Sequence, residues 1–477
     1  MNIKDLLETA ESPEKKIALL KEKDIVTGNW NTLRDKYDPK RHPIVTNPSL
    51  RPKDKEKNGQ VEKVSKITYA AEQISVRRMN QMLFTIPVKR KYHYDVNDET
   101  LKQIAAAKEA IYEKVRINGV NANRFRAYYG ACEVATVWFS KTEEAEHNEY
   151  GFSTKLKLRC RSYSPMDTKF SKVSQANIYP IFDEYDDLMA LSFEYTRKEK
   201  GKDVGYFDCY TADTTYQFKT IEGKTEVEET PNPIKKIPVV YWYSPMAIYE
   251  GIENNRSEIE FALSRNSDII RKNAAPIIVL KGALANAKDK PVSDVSTKIF
   301  HFTDGTGDAS TISPAVTSDN TKFLVSEMRK NIEEETQLPN LSMENVKGLG
   351  VVSGEARKTL LTDAHMKAGE EAPDIIWGFE RESKVIDAFL ALMNVSWKDK
   401  LPLIKTEHII TPFIPNDETV KSNRLATEFN AGIKSRKTAI TDLGDVQDAE
   451  AELAQIQAEE SAVTENNAKQ DIFPNYE

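Results

Sequence analysis

The stretch that decides the fold is Glu253–Pro276, ENNRSEIEFALSRNSDIIRKNAAP, answered by Asp319–Pro339, DNTKFLVSEMRKNIEEETQLP. In the first, Ile259, Phe261, Leu263, Ile269 and Ile270 recur at helical spacing, and Pro276 stops the pattern. In the second, Phe323, Leu324, Met328 and Ile332 share a helix face, and Pro339 ends it. Between them lie short apolar runs at Ile277–Leu280 and Ile299–Phe302, read as two strands. A small-residue loop separates these strands, and a turn at Asp304–Asp308 follows the second. The sequence thus predicts two returning helices with a β tip. Beyond Pro339, residues 340–353 are small, polar and glycine-bearing, and from Gly354 a helical pattern continues to about Trp397. Pro373 interrupts it, so a kink is expected there, because proline removes a backbone donor and crowds the preceding turn.

Upstream, residues 3–25 read as one amphipathic helix, and 34–60, with Pro39, Pro43, Pro48 and Pro52, as an extended basic arm. Helical patterns are expected from Val61 to Pro87, Glu99 to Ile117 and Ala122 to about Phe139. Period-two alternation follows: Leu156, Leu158 and Cys160 alternate with bases, and Leu188–Tyr195, Tyr206–Tyr210 and Tyr216–Phe218 form an antiparallel meander. The C-terminal part is helical at Thr419–Ala431, Arg436–Leu443 with Ser435 as N-cap, and Asp448–Glu460, leaving 461–477 as a flexible tail. The fold class is α+β, mainly helical, with small antiparallel β elements.

Composition narrows the function. The 477 residues carry a net charge of -7, and residues 440–477 alone hold ten acids and one base. The body is therefore nearly neutral, which disfavours tight, static binding to duplex DNA, where phosphate neutralisation supplies most of the affinity. Cys132, Cys160 and Cys209 form no metal- or disulfide-like spacing. No apolar run reaches membrane-spanning length, and the N-terminus lacks a signal-peptide core, so no membrane association and a reducing cytoplasm are expected. Nor do the six histidines, among them His42, His301 and His408, show metal spacing; each reads as a surface or packing residue. No nucleophile elbow is present. Lys347–Gly354 opens onto a helix like a phosphate loop but lacks the Gly-Lys-Ser/Thr ending. No catalytic residue, metal or cofactor is expected.

This order of elements, with its local wording, resembles the portal proteins of tailed bacteriophages, in particular the type of long-tailed phages of Gram-positive hosts. The resemblance rests on Asn80–Pro87, Ile237–Val240 with Gly251–Glu253 and Asn266–Asp268, Ser353–Lys358, Ile414–Asp417, Ile433–Thr438 and Asp448–Leu453. It implies a wing over 61–250 plus 354–400, stem helices over 251–275 and 316–338, a clip over 276–315, a tunnel loop over 339–353 and a crown over 401–460. The arm 34–60 and the segment after 460 have no recognised counterpart.

What the resemblance implies is a homo-oligomeric ring of about twelve subunits at a capsid vertex. It would pass double-stranded DNA during packaging and ejection and dock the terminase large subunit, a head-completion adaptor, and the major capsid and scaffold proteins. The virion would hold it, after assembly in the host cytoplasm. In the tunnel loop, Asn340, Ser342, Asn345, Lys347, Gly348 and Gly350 are the candidate DNA-facing residues. There Lys347 would supply a circlet of positive charge, and the two glycines freedom to move. At the clip tip, His301, Asp304 and Asp308 are candidate docking residues. Two rival readings stand beside this one: a capsid-associated adaptor or scaffold without a channel, and a nucleotide-dependent packaging enzyme using 347–354.

Overall fold

The computed structural model describes residues 3–23, 25, 27–52, 54–57, 60–273, 277–281, 308–312, 318–340, 361–413, 418–444 and 449–471. It is α+β and mainly helical, 48% helix and 24% strand. Two compact units emerge: residues 1–340 with 363–413, and residues 341–362 with 414–477.

In the larger unit the N-terminal 25 residues form two helices, α1 (Ile3–Glu8) and α2 (Pro13–Leu20), and not one. Ser12 caps α2, its hydroxyl accepting from the Lys15 N–H, and Pro13 takes the first helical position, where its missing donor costs nothing. The same device reshapes the expected arm at 34–60. Helix α3 (Trp30–Tyr37) is followed by a 3₁₀ turn starting at Pro39 and by α4 (Pro43–Thr46). A small hairpin, β1 (Lys55–Lys57) with β2 (Gln60–Glu62), ends the segment. Trp30, Leu33, Tyr37 and Ile44 are buried, so this segment is packed structure, and Pro39 and Pro43 start helical turns in it.

The helix expected from Val61 begins only at Ala71 (α5, Ala71–Phe84). After strand β3 (Lys89–His93) come α6 (Glu99–Lys114) and α7 (Ile117–Ala131). The pattern read as one helix to Phe139 ends at Cys132, whose φ of 62° is left-handed. From Glu133 the chain is strand β4 (Glu133–His147), because Val134, Thr136, Val137 and Trp138 favour a pleated surface, and Glu133–Val137 pair with Val239–Tyr243.

β4 pairs with β5 (Thr154–Ser164), and β6 (Ser174–Gln175) adds to β5 in parallel. The meander is present as a five-stranded sheet: β7 (Asn177–Phe182), β8 (Leu188–Glu199), β9 (Lys202–Thr211), β10 (Thr214–Ile221) and β11 (Lys224–Pro231). β12 (Val239–Tyr243) closes the four-stranded sheet in the order β12-β4-β5-β6. Ala135, Val137 and Tyr163 from this sheet pack against Leu191, Phe193 and Tyr206 from the meander. Ile3, Leu7 and Leu20 cover the meander residues Phe207 and Phe218.

The two decisive helices are α8 (Glu253–Asn273) and α9 (Ser318–Thr336), with β13 (Ile277–Lys281) paired to β14 (Asp308–Ile312) between them. The partner of β13 is thus Asp308–Ile312; the expected strand Ile299–Phe302 lies outside the described residues. The long helix α10 runs from Thr362 to Met393 with Pro373 inside it. A further strand, β15 (Lys405–Ile409), pairs with β3.

The smaller unit contains α11 (Glu418–Asn430), α12 (Arg436–Leu443) and α13 (Ala449–Asp471). Ser435 caps α12 as expected, accepting from Thr438 N–H. The segment from 461, expected to be a flexible tail, continues the last helix to Asp471.

Candidate functional site: the α8–α9 hairpin and its anchor

α8 is a helix of two halves. Toward its C-terminal end Ile270 is 50% exposed, and on the returning α9 Phe323 is 69% exposed. Ile269 and Leu324 are exposed beside them. The two helices leave these residues without cover from each other, as expected for helices that meet along one stripe each.

The N-terminal half is clamped. Residues 63–69 belong to no helix or strand and run along α8, whose side chains satisfy their backbone in sequence. Tyr69 N–H donates to Glu260 Oε1 at 2.8 Å, Ile67 N–H to Ser264 Oγ at 2.9 Å, and Ser65 N–H to Asp268 Oδ1 at 2.9 Å. Arg271 donates to Lys63 O at 3.2 Å. Positions 260, 264, 268 and 271 lie on one helix face, so a polar stripe does for this segment what a neighbouring strand does in a sheet. Arg51 locks the same place, bonding Ser65 O and the Asp268 carboxylate.

Beneath the stripe sits a fully buried ionic cluster. Arg256 Nε lies 2.7 Å from Glu72 Oε1, and its Nη1 3.5 Å from Glu260 Oε2. His42 Nε2 donates to Lys36 O at 2.8 Å, while Nδ1 lies 2.6 Å from Glu260 Oε1. Both ring nitrogens thus face oxygen atoms of neighbouring segments. Burial pushes the Glu72 carboxyl up to about 7, although Arg256 beside it pulls the other way. A carboxyl raised in the folded state binds its proton there when the unfolded chain has lost it. Its contribution to stability therefore falls as pH rises from about 4.5 to 7. Replacing Glu72 by Gln is expected to flatten that slope in denaturation midpoints measured across pH 4.5–7.

The far end of α9 is held as well: Arg78 donates to Leu338 O at 2.7 Å, and Asn255 of α8 to Glu335 Oε1 at 3.0 Å. α10 is fixed by Arg124, which forms a bidentate pair with Glu382 at 2.7 and 2.9 Å. At Gly378 a Cβ would come within 2.0 Å of Trp242 Nε1, so only glycine lets α10 approach β12 this closely.

A family model described as phage portal protein, SPP1 Gp6-like, matches residues 27–466. The chain belongs to this portal family. Its match includes residues 34–60, so the packed arm lies within the family's own span although the sequence suggested no counterpart for it. No curated protein matches the chain. Among solved structures, a chain from the neck of an empty GTA particle, computed with C6 symmetry, is similar over 84% of this chain and 94% of its own. The identity is 8% and the TM-score 0.39, a likeness too loose to carry an argument about the site.

Of the residues singled out in the sequence, Asn340 is described and half-buried, two residues after the buried Leu338. Ser342, Asn345, Lys347, Gly348 and Gly350 lie outside the described residues, as do His301 and Asp304. Asp308 is exposed but opens β14 opposite Lys281, and is not part of a turn. Sequence reasoning missed His42, Glu72, Arg256 and Glu260 as a unit. The available signal was the polar row Glu260, Ser264, Asp268 and Arg271 on a helix whose apolar residues point elsewhere.

Proposed function

We propose that this portal protein assembles into a closed ring of about twelve subunits at one capsid vertex. The ring is the conduit for double-stranded DNA in packaging and ejection and the connector between head and tail. The observation that supports this reading is the hairpin, firmly anchored at its base by α5 and residues 36–69, with Phe323, Leu324, Ile269 and Ile270 exposed further along it. Copies arranged head-to-tail around an axis cover such faces, and burying one large apolar side chain contributes about 1.5–3 kcal/mol.

On this reading α8 and α9 belong to the stem, β13–β14 to the clip, residues 61–250 and 354–400 to the wing, and 401–460 to the crown. Lys347 within the loop 339–353 faces DNA phosphates, and Asp308 with His301 and Asp304 forms the docking tip for the terminase large subunit and the head-completion adaptor. The wing meets the major capsid and scaffold proteins. The chain acts in the virion after assembly in the host cytoplasm, as a structural component and not as an enzyme.

Phe323→Asp is expected to shift the oligomer to monomers and small species in native mass spectrometry at micromolar concentration, with the monomer's circular dichroism unchanged. A variant that still forms the full oligomer would show that the hairpin face is not the subunit contact.

A further inference from the structure

The four-stranded sheet leaves one of its edges open. β6 is two residues long and meets β5 only at Tyr163 and Ser164, so β5 has a strand on one side alone from Thr154 to Ser162. Along such a strand, amides alternate between facing the partner and facing away. The outward set is marked by its acceptors: Leu156 N–H donates to Thr154 Oγ1 at 3.1 Å, and Leu158 N–H to Tyr150 Oη at 3.0 Å. Pairing with β4 continues without a shift from Leu156 to Tyr163. The same alternation therefore turns the N–H groups of Cys160 and Ser162 outward.

Where they emerge is a cavity of about 210 Å³ between α7 and residues 172–174, lined by Asn123, Cys160, Arg161, Ser162, Lys172 and Ser174 beside two valines. Among the described residues no carboxylate lines it. Among the described residues neither Arg161 nor Lys172 forms an ion pair. Arg161 donates to Tyr163 Oη at 3.5 Å, a long bond that leaves most of its fork free. The Ser162 hydroxyl is engaged with Thr136 Oγ1 at 2.9 Å, so this residue offers the cavity its amide. Two outward amides, with a guanidinium and an ammonium borne by residues that line the same cavity and no carboxylate among the described lining residues, make an environment for an oxyanion.

We propose that this cavity binds a phosphate group. The source is free phosphate or the backbone of a nucleic acid. Lys155 and Arg159 lie on the same strand face as Arg161, exposed and without an ion pair among the described residues, about 20 Å and about 7 Å from it along the strand. They would meet the adjoining phosphates of a nucleic acid strand.

The test uses the full chain in two arms. Inorganic phosphate is compared with chloride at matched ionic strength by thermal unfolding and by ³¹P line broadening; a fluorescent DNA duplex is titrated by anisotropy with and without phosphate. The expected result is a phosphate-dependent rise in Tm of several degrees and broadening of the ³¹P line. Both should be lost in the variant Arg161→Gln with Lys172→Gln, whose Tm in chloride is unchanged. Should the double variant not fold, Lys172→Gln alone is expected to weaken phosphate at least tenfold. Duplex binding that phosphate competes away assigns the site to nucleic acid, and phosphate binding without duplex binding assigns it to the free anion. No phosphate effect on the unaltered chain, or an effect that survives in the folded variant, overturns the proposal.

Discussion

Replacing Glu382 by Leu is expected to destabilise the larger unit by about 3–5 kcal/mol, because it strands a buried guanidinium. Arg124 is fully buried, its two nitrogens bonded to the Glu382 carboxylate and one of them also to Thr136 Oγ1 at 3.2 Å. Trp138 Nε1 donates to the same carboxylate at 2.9 Å, so its loss leaves two donors unsatisfied in the core. The guanidinium also lies 4.5 Å from the Trp242 ring and 5.3 Å from that of Phe379, contacts that hold the charge in place but do not neutralise it. The double replacement Arg124→Met with Glu382→Leu is expected to recover much of the loss, since an apolar pair of similar volume needs no charge compensation. Urea denaturation of the single and double variants measures both. A single variant within about 1 kcal/mol of the unaltered protein would show that the pair is not what fixes α10.

The second large effect is local. Glu260→Gln is expected to loosen residues 36–69 from α8, as one carboxylate serves Tyr69 N–H, His42 and Arg256 together. An amide retains an acceptor for Tyr69 but gives neither Arg256 nor His42 a charge. Removing one member of a buried ionic set costs about 3–5 kcal/mol. Glu72 remains beside Arg256 and takes up part of that cost. The amides of Ser65, Ile67 and Tyr69 are then expected to exchange with solvent about 10–100-fold faster, while those of the meander keep their protection. Hydrogen exchange read by mass spectrometry separates this from global unfolding. Equal acceleration in both segments would contradict the anchor described here.

How much of this was legible in the sequence depended on whether a signal was local. α8 and α9 were readable because their apolar residues step by three and four and each pattern closes on a proline. The meander was readable because Leu188–Tyr195 and Tyr206–Tyr210 alternate. The failures share a cause. Pro39 and Pro43 read as parts of an extended arm and Pro13 as lying inside one helix, yet each begins a helical turn, and which role a proline takes depends on whether residues such as Trp30 and Tyr37 find a core to enter. Val134–Trp138 continued a helical spacing but was claimed by β12, a partner a hundred residues away. The anchor was the least visible part, since His42, Glu72 and Glu260 gain meaning only when three separated segments meet. The order of elements nevertheless sufficed to place the chain in its family, which the match over residues 27–466 establishes.

The central claim, a closed ring built on the α8–α9 hairpin, is tested most directly by electron microscopy of the purified chain in negative stain, with class averages examined for rotational symmetry. The account predicts closed rings of about twelve subunits around a central hole. Monomers or small open oligomers at every concentration would contradict it.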